Sequence, residues 1–165
     1  MSAEAELAAV IAQEQGLVFE RFDEDVAYAI GGTARQAAKA LGKGGIVIAV
    51  YLWDRTVFYG ATAGATDGNR HWVERKAKLT RMSLKSTYRY ALERGDKGRI
   101  LEPNWGLDPK DYAIAGGSFP IAMRGIGVVG AAVASGLHER DDHELVRSAI
   151  AVVLGKPADY LALQT

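Results

Sequence analysis

The sequence predicts a single α+β domain, a mainly antiparallel sheet of about five strands flanked by helices, over residues 1–165. Three observations carry that reading. Apolar residues recur at three- and four-residue spacing in four segments, the period of helices with one buried face. Two pairs of strand-like runs are each joined by only a few residues, enough for a hairpin and too short for a parallel crossover. Finally, 165 residues with no internal repeat, low-complexity tract or linker suit one core.

Residues 3–14 place Leu7, Val10 and Ile11 on one helical face, and Leu17–Glu20 reads as a short strand. Asp23 caps a second helix with the stripe Val26, Ile30, Thr33/Ala34, Ala37 and Leu41. Gly31-Gly32 interrupts it, and each glycine costs up to about 1 kcal/mol against alanine inside a helix. Close packing against a neighbouring backbone is the expected compensation. Glycines around Lys43 end the helix. Ile46–Trp53 is β-branched and almost uninterrupted, as in a strand buried on both faces. Asp54-Arg55 turns it into Thr56–Tyr59. After a small-residue loop from Gly60 to Gly68, one long helix is predicted over 69–93, burying Val73, Ala77, Thr80, Leu84, Tyr88 and Ala91. A loop over 94–110 leads to strands Tyr112–Ile121 and Ile126–Ser135, joined through Met123-Arg124-Gly125. Pro120 demands an edge or a bulge there. The last helix is expected to begin at Asp141 or Asp142, with Asp141 and Glu144 as a capping box, and to bury Leu145/Val146, Ala149 and Val152/Val153.

Composition removes several function classes. The chain has no cysteine, which excludes a disulfide scaffold, a thiolate nucleophile and thiolate-held zinc or iron–sulfur groups, and fits a reducing compartment. The acidic opening segment does not read as a signal peptide, and no apolar run is long enough for a bilayer. A cytoplasmic protein with no membrane partner is the expectation. Phosphate-loop, zinc-protease and nucleophile-elbow motifs are missing from the sequence. Gly125-x-Gly127-x-x-Gly130 lies within a strand rather than before a helix, so a pyrophosphate would find no helix N-terminus there.

A net charge of zero conceals segregation. Residues 1–25 carry −6 and residues 70–99 carry +7. Lys78, Arg81, Lys85 and Arg89 read as one basic stripe along the long helix. With no aromatic-interleaved binding motif and no net positive charge, nucleic acid is not the expected partner. The opposite patches are instead expected to meet within or between subunits, and neutrality favours self-association.

Candidate chemistry is sparse. His71 precedes Trp72 at the start of the basic helix, while His138 and His143 flank an acidic turn holding Asp141 and Asp142. A metal ion would take His138 and His143 with Asp141 or Asp142, and His71 is a separate possible iron ligand. Arg70, Arg75 and Lys76 are placed to meet carboxylates of a small ligand. In Gly116–Ile121 the paired glycines can expose N–H groups to an anion or carbonyl, Ser118 adds a hydroxyl and Phe119 an apolar wall. A β-bulge without ligand explains the same segment equally well.

The runs Trp105–Pro109, Asp111-Tyr112, Gly116–Ile121 and Gly127–Gly130 resemble the haem-degrading-domain family, the group similar to HbpS and GlcG proteins. Ser135–Leu137, Asp142–Val146 and Asn69–Lys76 extend the resemblance over most of the chain, towards a little-characterised bacterial and fungal branch. It implies a profilin-like α-β-α domain, symmetric homo-oligomers and, in some relatives, haem or another tetrapyrrole. The chain departs at Leu84-Lys85, where many relatives carry Gly-His before the pair equivalent to Ser86-Thr87.

The resulting expectation is a homo-oligomeric small-ligand-binding protein with haem as its candidate cofactor. Trp72 and Phe119 would supply apolar contact and Arg75 and Lys76 would pair with propionates. Gly117 and Ser118 would contribute polar contacts, and His71, His138 or His143 would ligate iron. Two alternatives stay open: an enzyme acting on a small anionic metabolite near Ser118, Arg75 and His143, and a non-catalytic oligomeric interaction module.

Overall fold

In a computed structural model describing residues 2–102 and 105–164, helices α1 (Ala3–Gly16), α2 (Glu24–Ala40), α3 (Asp67–Ser83), α4 (Thr87–Arg94) and α5 (Glu139–Val153) surround one sheet. Its strands are β1 (Val18–Phe19), β2 (Val47–Leu52), β3 (Arg55–Ala61), β4 (Ser118–Met123) and β5 (Gly127–Ser135). They lie in the order β1-β4-β5-β2-β3. Only the short β1–β4 pair is parallel; the other neighbours are antiparallel. The predicted fold class is therefore the observed one. Pro103, within the expected 94–110 loop, lies outside the described residues.

The two-residue period of β2 explains the layers. Ile48 and Val50 join Ala132, Ala134, Phe119 and Ile121 in a core covered by α2 and α5. Val47 and Ala49 join Ala131 and Val133 against Val73 and Ala77 of α3 on the opposite face. The continuous apolar run in the sequence is thus a strand sandwiched between two helical layers. Gly31 compensates for its helix cost as expected in kind, although the neighbour is a side chain rather than backbone. A Cβ there would sit 2.2 Å from the Phe58 ring, whereas Gly32 faces open space. Pro120 satisfies both of its conditions: β1 reaches only Ala122 and Met123, leaving β4 an edge at Pro120, and the β4–β5 register shifts after Ile121.

Three expected elements differ. The long helix is two helices, because Leu84 adopts a left-handed conformation with φ +56°. Ser86 then caps α4 by accepting from the Arg89 N–H at 3.1 Å. Leu84 is half-exposed instead of lying in a buried stripe, and Lys78, Arg81, Lys85 and Arg89 form no continuous basic face. The fourth strand starts at Ser118 instead of Tyr112, since the preceding segment leaves the sheet and Ala113 N–H donates to the Arg75 carbonyl at 3.2 Å. Helix α5 begins at Glu139 with His138 at its N-cap. Asp142, one expected start, is instead drawn into the interior, and Val152 faces outward while Val153 packs on the core.

Among the described residues one ion pair joins the acidic N-terminal stretch to the basic 70–99 stretch, and the other paired acids of that stretch find bases elsewhere. Glu14 of α1 pairs with Arg89 of α4 at 2.8 Å and accepts from the Ser86 N–H at 2.8 Å. Glu6 pairs with Arg140 at 2.7 Å and accepts from the Tyr88 hydroxyl at 3.0 Å.

Candidate functional site

Helix α3 lies across β5 and has two flanks of different chemistry. A capping box fixes its start, with Thr66 N–H donating to the Asn69 carboxamide at 2.9 Å. On the flank towards α5, Asn69, Trp72 and Lys76 face Ser135, Gly136 and Asp142 across a cleft of about 330 Å³. The cleft continues into one of about 450 Å³ whose lining includes Trp72, Arg75, Arg99, Ile114, Leu137 and His138.

Its floor is an ion pair that the sequence did not announce. Lys76 Nζ donates to Asp142 Oδ2 at 2.9 Å and to the Ala134 carbonyl at 3.1 Å. Both side chains are almost fully buried, at 3% and 2% exposure. Asp142 Oδ1 also accepts from the Leu137 N–H at 3.0 Å. Burial pushes the Asp142 carboxyl up from its ordinary value, and the Lys76 ammonium offsets this only in part. The paired glycines make room for the arrangement. A Cβ on Gly117, at φ +131°, would lie 2.4 Å from the Ala134 oxygen and 2.7 Å from Lys76 Nζ. One on Gly116 would lie 2.3 Å from the Glu139 carbonyl oxygen.

The other charges of this cleft are also partnered. Arg99 forms a fork on Glu139 at 2.8 and 2.9 Å. Burial works to raise the Glu139 carboxyl, but Arg99 and the Gly116 N–H hold it below its ordinary range. Arg75 stacks over Trp72, with its guanidinium carbon 5.1 Å from the ring centre. It donates to the carbonyls of Lys110 and Tyr112 at 2.6 and 3.0 Å, so it keeps a positive charge with no carboxylate bound to it among the described residues.

The structure brings Trp72, Arg75, Lys76 and His138 together and leaves the other expected site residues elsewhere. Phe119 is fully buried in the α2/α5 core. Ser118 is fully buried and accepts from the Thr80 hydroxyl at 2.7 Å, while its N–H donates to Thr87 at 3.0 Å. Gly117 encloses Lys76. None of these three lines the α5-side cleft. Their burial corrects the expectation that the Gly116–Ile121 segment presents itself to a ligand: it is a packing device.

His143 also requires correction as an iron ligand. It is completely buried, with Nε2 2.7 Å from the Gln13 side-chain oxygen and its ring between Tyr88 and Phe119. Burial, then the nearby Arg147 and Arg140, push its value down to about 3, so it is a neutral core residue near neutral pH. His71 and His138 remain at the surface. Among the described residues, no group of three His, Asp or Glu side chains is arranged to hold a metal ion. Ser118, Arg75 and His143 share no cleft, which removes the geometry of the metabolite-enzyme alternative.

Glu139 and Arg99 were missed as site residues, and Asp142, considered as a metal ligand beside the histidines, is instead the buried partner of Lys76. One signal was present: Lys76 lies at helical spacing with the buried Val73 and Thr80, so a lysine on an inward face called for a buried acid.

The family's sequence pattern, described as haem-degrading protein HbpS-like, matches residues 22–151. The chain belongs to the HbpS-like haem-degrading family. A UPF0303 protein of Brucella melitensis biotype 2 is 46% identical over 154 residues, covering 93% of this chain and 90% of its own length. The crystal structure of Ybr137w superposes with a TM-score of 0.81 at 26% identity, covering 90% of this chain and 88% of that one. The haem complex of PduOC shares the fold with a TM-score of 0.66 at 16% identity, covering 79% and 93% of the two chains. Among the described residues, no helix of this family member is long and apolar enough to cross a membrane.

Proposed function

We propose that this chain is a cytoplasmic homo-oligomeric protein that binds haem, or a closely related tetrapyrrole, in the α5-side cleft of α3. The observation that carries the reading is the convergence of Trp72, Arg75, Arg99 and His138 on one cleft of about 450 Å³. Trp72, Ile114 and Leu137 offer apolar surface to a flat ring, and Arg75 offers a cation to a propionate. His138 lines this cleft and would be the iron ligand; to present Nε2 to iron its ring would carry the proton on Nδ1 and give up the 3.4 Å contact from the Arg140 N–H. Lys76 belongs to the floor of the site and not to its propionate contacts, since Asp142 already neutralises it. Bound haem would supply the iron chemistry that the family description implies, while the protein would hold the ring and its carboxylates. The neutral net charge supports self-association.

A hemin titration followed at the Soret band tests this in the wild type and in His138→Ala, His71→Ala and His143→Ala. Saturable binding at one site per chain is expected, with the band shifted or lost in His138→Ala and retained in His71→Ala. Lack of saturable binding in the wild type would sink the reading. Native mass spectrometry of the same sample reports the oligomer, and a monomer would remove the assembly part.

A further inference from the structure

The other flank of α3 carries a second groove. Tyr51, Leu52 and Trp53 at the end of β2 face Ala77, Lys78 and Arg81 across about 200 Å³. Its surface is aromatic and aliphatic on the sheet side and cationic on the helix side. The Trp53 indole N–H donates to the Val128 carbonyl at 3.0 Å, which fixes the ring plane. Arg81 lies over that ring, its guanidinium carbon 5.9 Å from the centre.

Charge gives the groove its direction. Across the helix, Lys76 is neutralised by Asp142 and Arg99 by Glu139. Lys78 and Arg81 have no carboxylate within 4.0 Å among the described residues. Glu74 also lines the groove, but its carboxylate is bound by Arg70 one helical turn away. Burial, followed by Glu74 and Tyr59, pushes the Tyr51 phenol up to about 12, so near neutral pH it stays an uncharged hydroxyl able to donate.

We infer that this groove binds a single aromatic ring bearing one anionic group, the ring resting between Tyr51 and Trp53 and the anion meeting Lys78 and Arg81. The size of the groove selects one ring and not a tetrapyrrole. Two unpaired cations at the rim select a negative substituent. A wall that includes the Tyr51 and Trp53 rings favours an aromatic body over an aliphatic chain of equal charge. This site shares no lining residue with the cleft assigned to haem.

Calorimetric titration of the full chain with benzoate, benzamide and acetate tests it. Benzamide keeps the ring without the charge, and acetate keeps the charge without the ring. Benzoate is expected to bind one site per chain, with benzamide and acetate each weaker by about tenfold or more. Arg81→Gln and Lys78→Gln should each weaken benzoate by about the same factor, because each removes one charge-assisted contact. Trp53 fluorescence in a Trp72→Phe/Trp105→Phe background should change on saturation with benzoate. Equal affinity for acetate and benzoate, or unchanged affinity in Arg81→Gln, would overturn the proposal. So would a change of oligomer mass in Arg81→Glu, which would identify the groove as a contact between copies. Hemin binding in Arg81→Gln should equal that of the wild type; its loss there would merge the two sites and overturn their separation.

Discussion

The two flanks of α3 are built from one helix and differ in what the rest of the chain places beside them. Towards α5 Lys76, Asp142, Arg99 and Glu139 are paired with one another, Arg75 alone of the lining charges has no carboxylate partner among the described residues, and an exposed histidine, His138, lines the cleft. Towards β2 Glu74 is held by Arg70, Lys78 and Arg81 have no carboxylate partner among the described residues, one wall is aromatic, and no histidine lines the groove. A charge that has a fixed partner serves architecture first, because removing either member leaves the other unsolvated. A charge without a partner can be given to a ligand at little structural cost. The positive charges expected to meet a ligand therefore divide: Arg70 is bound by Asp67 and Glu74 and Lys76 by Asp142, whereas Arg75, like Lys78 and Arg81, has no carboxylate partner among the described residues.

The strongest way to break this contrast is to remove one member of the buried pair. Lys76→Met is expected to cost about 3–5 kcal/mol, because Asp142 would remain buried without its cation. The Lys76→Met/Asp142→Leu double variant should recover most of that loss in urea denaturation. If the single variant is as stable as wild type, the pair is not structural. By comparison, Arg81→Gln on the opposite flank should change stability by less than about 0.5 kcal/mol.

Gly117→Ala probes the same floor from the backbone. The residue would combine a φ of +131° with a methyl 2.4 Å from the Ala134 oxygen. A loss of about 2–3 kcal/mol is expected, read as a lower midpoint in thermal or urea unfolding.

His143 sharpens the difference between a core and a surface histidine. Its value in the folded chain, about 3, lies below the ordinary 6.5. The unfolded chain therefore takes up the proton first as pH falls. The associated stability is complete above about pH 6.5 and declines by about 1.4 kcal/mol per pH unit as pH drops towards 3. Unfolding free energies measured from pH 7 to 5 should show this slope in wild type and lose most of it in His143→Gln. His138→Ala, at the surface, should leave the slope in place.

A smaller effect has the opposite sign. Leu84 is half-exposed at φ +56° between α3 and α4. Glycine adopts that conformation without a Cβ penalty, so Leu84→Gly should raise stability by about 0.5–1 kcal/mol in urea denaturation.

Much of the architecture was legible because it follows from local patterns. The apolar run of β2, the two hairpins and the Asp23 cap each act over a few residues and are legible, although the first turn falls at Trp53-Asp54 and not Asp54-Arg55, and Met123 belongs to β4 and not to the second turn. The 69–93 helix was read as continuous because its apolar period runs through Leu84, yet that residue closes α3 and Ser86 caps α4. The Gly116–Ile121 segment was singled out correctly and assigned the wrong task. Glycine pairs serve both ligand approach and close packing, and only the neighbours at Ala134, Lys76 and Glu139 distinguish the two. His143 was invisible as a core residue for a similar reason: the Gln13 that binds it lies 130 positions away in the sequence.

Fold class and most strand and helix positions follow from the chain's local pattern, because periodicity, capping and turn chemistry act over a few residues, and the family resemblance follows from short motifs such as Gly116–Ile121. Tertiary structure decided which charges are spent on each other. Lys76 and Asp142 are 66 residues apart, and their union depends on α3 and the start of α5 meeting across β5 with two glycines out of the way. No local rule encodes that meeting, since burial and dielectric belong to the packed molecule and not to either segment alone.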